Sequence, residues 1–164
     1  MKRITFLLAS ALVLAACGQQ TSEHEGHETS QEASHEQTVV LYNDMTDDAT
    51  GALPGDRVTY HTNEEQSLSQ FLLKKLEMAP YVKESSVSED GTVATVNFNQ
   101  EVMQTNIFQG SAGAAYSVEM IGKTFFQNMP ELEQLQLRIE GEKQEMDHMR
   151  FDDYTRDDFK FDKS

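Results

Sequence analysis

The stretch from Ser111 to Glu140 constrains the fold most, because its pattern predicts an amphipathic helix followed closely by a strand. Apolar residues recur there at steps of three and four, which places them on one face of a helix. Pro130 follows, and proline cannot continue a helix because it lacks the amide hydrogen. Apolar and polar residues then alternate, as in a half-buried strand. The helix-face residues are Ala115, Val118, Ile121, Phe125 and Met129, and the strand residues are Leu135, Leu137 and Ile139.

The preceding chain predicts the elements that this pair needs as packing partners. A β-rich run opens it, and a Thr62–Glu65 capping box begins a helix that we expect to end at Ala79-Pro80. A hairpin turning at Asp90-Gly91 follows, and Ser111 is a plausible helix cap. The order strand, helix, hairpin, helix, strand predicts an α+β fold with one small mixed sheet and two helices on one face. The remaining predicted segments are strands at Val39–Tyr42 and Thr92–Asn99, weaker strands at Arg57–Tyr60 and Tyr81–Ser88, and a partly helical connector at Glu101–Phe108.

Composition excludes several classes of protein. A chain of 164 residues predicts one domain with extensions. Its formal charge of -15 argues against nucleic acid and against a polybasic membrane surface. The single cysteine, Cys17, excludes an intramolecular disulfide, so packing alone must hold the fold.

The first residues are typical of a secretory leader. Lys2 and Arg3 precede an apolar run that is too short to span a bilayer, where about 20 residues are needed. Leu14-Ala15-Ala16-Cys17 resembles the lipobox of bacterial lipoproteins. That resemblance implies cleavage before Cys17 and lipid attachment to it, hence a signal peptide over residues 1–16 and a protein held on the extracytoplasmic face of the cell membrane. The alternative is an ordinary secreted protein with a chance cysteine.

Residues 17–37 predict a disordered tether, because polar residues fill them and leave too little apolar surface to offset chain entropy. His24, His27 and His35 each lie beside a glutamate there. Imidazole and carboxylate groups could hold zinc or copper, although a solvated spacer with incidental histidines explains the same composition.

With these motifs in order, residues 38–150 resemble the GerMN family of sporulation, germination and cell-envelope proteins. The resemblance implies a small α/β module, similar to ring-building modules of secretion assemblies, that binds or assembles without catalysis. Its partner would be another envelope protein or the cell wall. The runs that carry it are Val39–Tyr42, Leu72–Leu76, Asp90–Phe98, Ile121–Phe125 and Leu137–Gly141.

Other candidate chemistry is weaker. Met146-Asp147-His148-Met149 offers soft ligands suited to Cu(I), but methionine also commonly fills gaps in packing. Ser111 lacks the strand context of a hydrolase nucleophile. The tail at residues 151–164 alternates aromatic and acidic residues, and we expect it to stay mobile rather than form an edge strand. We therefore expect no catalytic residues, cofactor or metal, and a non-catalytic lipid-anchored binding or assembly protein; the alternative is an extracytoplasmic Zn- or Cu-binding lipoprotein.

Overall fold

The computed structural model describes residues 35–49, 51–62, 65–146 and 149–161, which form ten strands, two α-helices and short 3₁₀ turns. The strands and helices run in the order β1 Glu36–Val40, β2 Asp44–Met45, β3 Ala52–Leu53, β4 Arg57–His61, α1 Leu68–Lys75, β5 Val82–Val87, β6 Val93–Phe98, α2 Ser111–Asn128, β7 Gln134–Ile139, β8 Gln144–Glu145, β9 Arg150–Phe151 and β10 Asp153–Thr155.

The principal sheet is mixed and has four strands in the order β10-β7-β6-β5. The central pair β6 and β7 is parallel, whereas β5 and β10 pair antiparallel with their neighbours. Parallel neighbours need a crossover, and the chain between β6 and β7 supplies it with two 3₁₀ turns and α2. The fold is therefore α+β, as expected. The inward side chains of the central pair are fully buried; they are Ala94, Val96, Phe98, Leu135, Leu137 and Ile139.

Helix α1 begins later than its sequence predicted. The predicted capping residue Thr62 instead extends the strand ladder, since its amide donates to the carbonyl of His35 at 3.0 Å. The cap is Ser67, whose hydroxyl accepts from the Gln70 amide while the Gln70 side chain accepts from the Ser67 amide. This reciprocal pair has the same chemistry as the predicted capping box, and it lies directly before the apolar run.

The end of α1 is set by a local turn and not by Pro80, which corrects the prediction. Glu77 adopts a left-handed conformation with φ 60°, and its amide bonds to the Lys74 carbonyl. The Met78 amide bonds to the Leu73 carbonyl at 2.8 Å. These two bonds form a Schellman motif, which usually has glycine where this chain has Glu77. Pro80 lies in the 3₁₀ turn that follows.

Helix α2 follows the prediction closely and is enclosed on most sides. Its cap is Gly110 with φ 73°, so Ser111 is the exposed first helical residue and not the predicted cap. The helix ends at Asn128, one residue before Met129-Pro130, as proline requires. Every residue from 120 to 126 is buried. α2 contacts β1, β3 and α1 from the preceding chain, and it contacts the 3₁₀ turn after β10 in the tail.

The first strand does not join the principal sheet, contrary to the single-sheet prediction. β1 begins at Glu36, inside the predicted tether, and pairs only with β4 as a two-stranded ribbon. Side chains of α2 bond to its backbone: Asn128 accepts from the Val40 amide and donates to the Val40 carbonyl, at 2.9 and 2.8 Å. Thr124 accepts from the Tyr42 amide at 3.0 Å. Side chains of α2 therefore make the hydrogen bonds to this ribbon that the backbone of a neighbouring strand would make in a sheet.

The acidic-aromatic tail is ordered through Phe161, which corrects the expectation of a mobile segment. β10 is an edge strand of the principal sheet, paired with β7. Phe159 is buried against Gly122 of α2. Arg156 lies over the rings of Phe126 and Phe161 and donates to the Phe126 carbonyl. The tail therefore belongs to the domain, and its residues 156–161, called the carboxyl-terminal strap below, pack against α2.

Candidate binding surfaces

A buried ion pair on α2 has a structural role. Lys123 contacts the Glu119 carboxylate at 2.7 Å and donates to the Ala52 carbonyl at 2.9 Å. The same carboxylate accepts from the Ala52 amide. Both charged groups therefore bond to the Ala52 backbone and hold β3 against the helix. Lys123 is almost fully buried. Each group is engaged by the other and by the Ala52 backbone, so we assign the pair a structural role.

The outer strand β5 and helix α1 border an open groove of about 400 Å³. Leu73 and Val82 form apolar parts of its wall, and Gln70 adds an amide. Its charges are mixed, with Lys74 and Lys83 against Glu65 and Glu84, so it favours neither sign of partner. The groove lies along a strand that has, among the described residues, a sheet neighbour on one side only.

The free edge of β5 presents backbone groups outward. Ser88 donates to the Val93 carbonyl at 2.8 Å, which fixes the alternation of the antiparallel ladder. By that alternation Ser86 bonds toward β6, whereas Ser85 and Val87 direct their amides and carbonyls away from the sheet. Their side chains share the core-facing side with their partners Val96 and Ala94. Val87 nevertheless remains 39% exposed.

Ser85 also has an unpaired hydroxyl. Its Oγ is buried and has no hydrogen-bond partner among the described residues. A buried unpaired hydroxyl costs about 1–3 kcal/mol. Ser85 lines the groove, so rotation about χ1 would bring its hydroxyl toward an occupant.

Methionines line a second groove, of about 380 Å³, between the first 3₁₀ turn after β6 and the tip of the β8–β9 hairpin. Met103 comes from the turn, and Met146 and Met149 come from the hairpin tip. The Met146 amide donates to the Met149 carbonyl at 2.8 Å, which closes the hairpin. Phe108 and Ala114 complete the apolar wall.

The charged network beside β7 and β10 is self-contained. Asp153 pairs with Arg138 and Lys143, and Asp152 pairs with Lys143. Although burial of Asp153 opposes ionisation, its pKa is lowered by the hydrogen bonds from Lys143 and Arg138. The hydrogen bond from Lys143 likewise lowers the pKa of Asp152. These carboxylates stay ionised, which makes them ion-pair partners of the strands and poor general acids.

The residues singled out from sequence are only partly described. Cys17, His24 and His27 lie outside the described residues, as do Asp147 and His148. His35 is exposed and stands just before β1. Within the described ranges no three His, Cys, Asp or Glu side chains are arranged to hold a metal ion. No helix in the same ranges is long and apolar enough to cross a membrane.

Comparisons with family models, with curated proteins and with solved structures give no match. The two grooves and the outer edge of β5 are surface features at which a partner or ligand could bind. Sequence reasoning missed the groove role of Met103, because nothing local to that residue indicates which distant segment it meets. It also missed Ser85, whose importance depends on strand order.

Proposed function

We propose that this chain is a lipid-anchored cell-envelope protein whose α+β domain binds a partner without catalysis. The observation that carries the binding role is the free edge of β5 beside the α1 groove. An extended segment of a partner protein would add to that edge as a fifth strand, which is a common mode of peptide recognition. The GerMN-like motifs support an envelope role connected with sporulation, germination or the cell wall.

Three properties of the edge favour an extended peptide over a compact ligand. The outward amides and carbonyls of Ser85 and Val87 match the repeat of an added strand. The exposed Val87 and the groove-lining Leu73 and Val82 offer apolar contact to alternate side chains of that strand. The mixed charges make backbone bonds and apolar contacts the principal attraction, so the partner segment would be uncharged and apolar at alternate positions.

The edge is tested by Ser85→Pro in the full-length protein. Proline removes an amide that points outward, so the ladder to β6 keeps its bonds while an added strand loses a donor. Ser85→Ala is the matched control, because it keeps the amide. A photo-cross-linking residue placed at Val87 in intact cells should capture a partner band that Ser85→Pro abolishes and Ser85→Ala retains. A band that persists in Ser85→Pro, with folding verified by circular dichroism, would refute strand addition.

The anchor is tested separately at Cys17. Cys17→Ser should move the protein from the membrane fraction to the soluble fraction, because a stable hold on the bilayer requires acyl chains. Labelled fatty acid should enter the unchanged protein and not the variant. If no label enters the unchanged protein, the lipid-anchor hypothesis is refuted. The binding role of the β5 edge would then still be decided by the Ser85→Pro experiment.

A further inference from the structure

We propose that Met103, Met146 and Met149 form a binding site for a soft monovalent cation, Cu⁺ in the cell and Ag⁺ as its laboratory substitute. The convergence of these side chains on one groove carries the proposal. Met103 is separated from the other two by the whole of α2 and β7 in sequence. The site is independent of the β5 edge and would exist whether or not a peptide binds there.

The chemistry of the groove suits soft cations. Thioether sulfur is a neutral, polarizable ligand that prefers Cu⁺ and binds hard ions such as Mg²⁺ poorly. Three of the eight methionines of the chain line this groove, so its described lining residues offer three such ligands and no carboxylate. Thioethers carry no proton to displace, and binding should therefore be almost independent of pH between 5 and 8, unlike binding to histidine.

The scaffold holds two of the ligands near each other. The hydrogen bond from Met146 to the Met149 carbonyl and the β8–β9 pairing fix both backbones at one hairpin tip. Both residues line the groove, where Met149 is buried and Met146 is partly buried. Methionine side chains have three rotatable bonds, which lets the sulfur atoms converge on an ion without backbone movement. The negative net charge of the whole protein attracts cations to its surface.

The competing explanation is that these methionines only fill a gap beside Phe108. Leucine distinguishes the two, because a Met→Leu exchange keeps volume and apolar character at a cost usually below about 1.5 kcal/mol. A variant with Met103, Met146 and Met149 all changed to Leu should keep its fold but lose its sulfur ligands. Met45→Leu is the matched control, since Met45 is 49% exposed on β2 and lies outside the groove.

The experiment is titration of full-length protein with Ag⁺ by calorimetry, with Cu⁺ affinity measured against a colorimetric chelator without oxygen. Every protein carries Cys17→Ser, His24→Gln, His27→Gln, His35→Gln and His148→Gln, which removes the thiol, the tether histidines and the histidine between Met146 and Met149 as ligands. We expect one equivalent to bind and the ¹³C-methyl signals of the three groove methionines to shift. The triple Leu variant should lose at least about 100-fold in affinity, because it lacks all three ligands, whereas outer-shell changes alone cost about 10–100-fold at metal sites. Met45→Leu should match its parent.

Unchanged affinity in the triple Leu variant would overturn the proposal. So would the absence of an Ag⁺-induced shift of the three methyl signals at micromolar protein. If the triple variant melts early, the single variants decide: each should weaken binding while keeping the melting temperature of its parent. Single variants that all bind as tightly as the parent would also overturn it.

Discussion

Replacing Gly122 with alanine should release the carboxyl-terminal strap from α2. A Cβ atom at this position would lie 2.1 Å from Cζ of Phe159 and 2.4 Å from its Cε1. No contact this short is tolerated, and α2 is enclosed, so the ring of Phe159 must leave its place. Phe159 is only 6% exposed, and it stacks on Phe126 and Tyr154 with ring centroids 5.7 Å apart in each case.

The magnitude follows from three contributions. Exposing a buried Phe side chain costs about 1.5–3 kcal/mol. Losing the aromatic pairs costs roughly 1 kcal/mol more. Replacing glycine by alanine inside a helix returns about 1 kcal/mol. The net loss in free energy of unfolding should therefore be about 2 kcal/mol, measured by urea denaturation followed by far-ultraviolet circular dichroism.

Two further variants make the reasoning refutable. In a Phe159→Ala background the clash is absent, so Gly122→Ala should instead stabilise the protein by up to about 1 kcal/mol. Gly113→Ala, in the same helix, should also stabilise, because its Cβ would lie no closer than 3.7 Å to the Asn106 carbonyl oxygen. If Gly122→Ala loses the same stability with and without Phe159, then Phe159 does not lie against α2 as described.

Three other measurements follow from the fold. Glu77→Gly should raise the free energy of unfolding by about 1 kcal/mol, because glycine carries no penalty at positive φ; an unchanged urea midpoint would contradict the Schellman turn. Asn128→Leu leaves the Val40 backbone unpaired and should cost about 2–3 kcal/mol, with faster hydrogen exchange along β1 and not along β6. The hydrogen bond from the Ser88 hydroxyl, followed by those from Thr92, lowers the pKa of Asp90 to about 2. The stabilisation by Asp90 should be complete above about pH 4 and vanish as pH falls through the folded pKa. A carboxyl NMR titration should show that midpoint and a higher one in Ser88→Ala; equal midpoints would refute the assignment.

Local patterns in the sequence were sufficient for the central elements. The period-two run at Leu135–Ile139 and the three-four repeat from Val118 to Phe125 are each complete within one element, and both predictions are confirmed. The Asp90-Gly91 turn is likewise confirmed, because Gly91 adopts the expected positive φ. Such features depend on neighbours a few residues away, which sequence periodicity reports directly.

The errors at the ends of α1 and at the start of α2 are local, whereas the larger ones depend on distant partners. Strand propensity predicted β1 but could not show that its backbone would bond to Asn128, 88 residues further along the chain. The tail was expected to be mobile because it alternates aromatic residues with acidic ones. It is held by the packing of Phe159 against Gly122 and by Arg156, which lies over the ring of Phe126. The residues around Met103 do not predict its groove, because Met146 and Met149 lie far along the chain, beyond α2 and β7.

The segment after β1 and the end of the tail contact each other. The ring of Phe161 meets that of Tyr42 edge-on, with centroids 5.9 Å apart. A linker from the tail back to the start of β1 would join the two ends, and new ends could be opened at the Asp90-Gly91 turn, where a side chain on Gly91 would touch nothing. A circular permutant of this kind would keep every strand pairing of the principal sheet while changing the order in which the chain visits them.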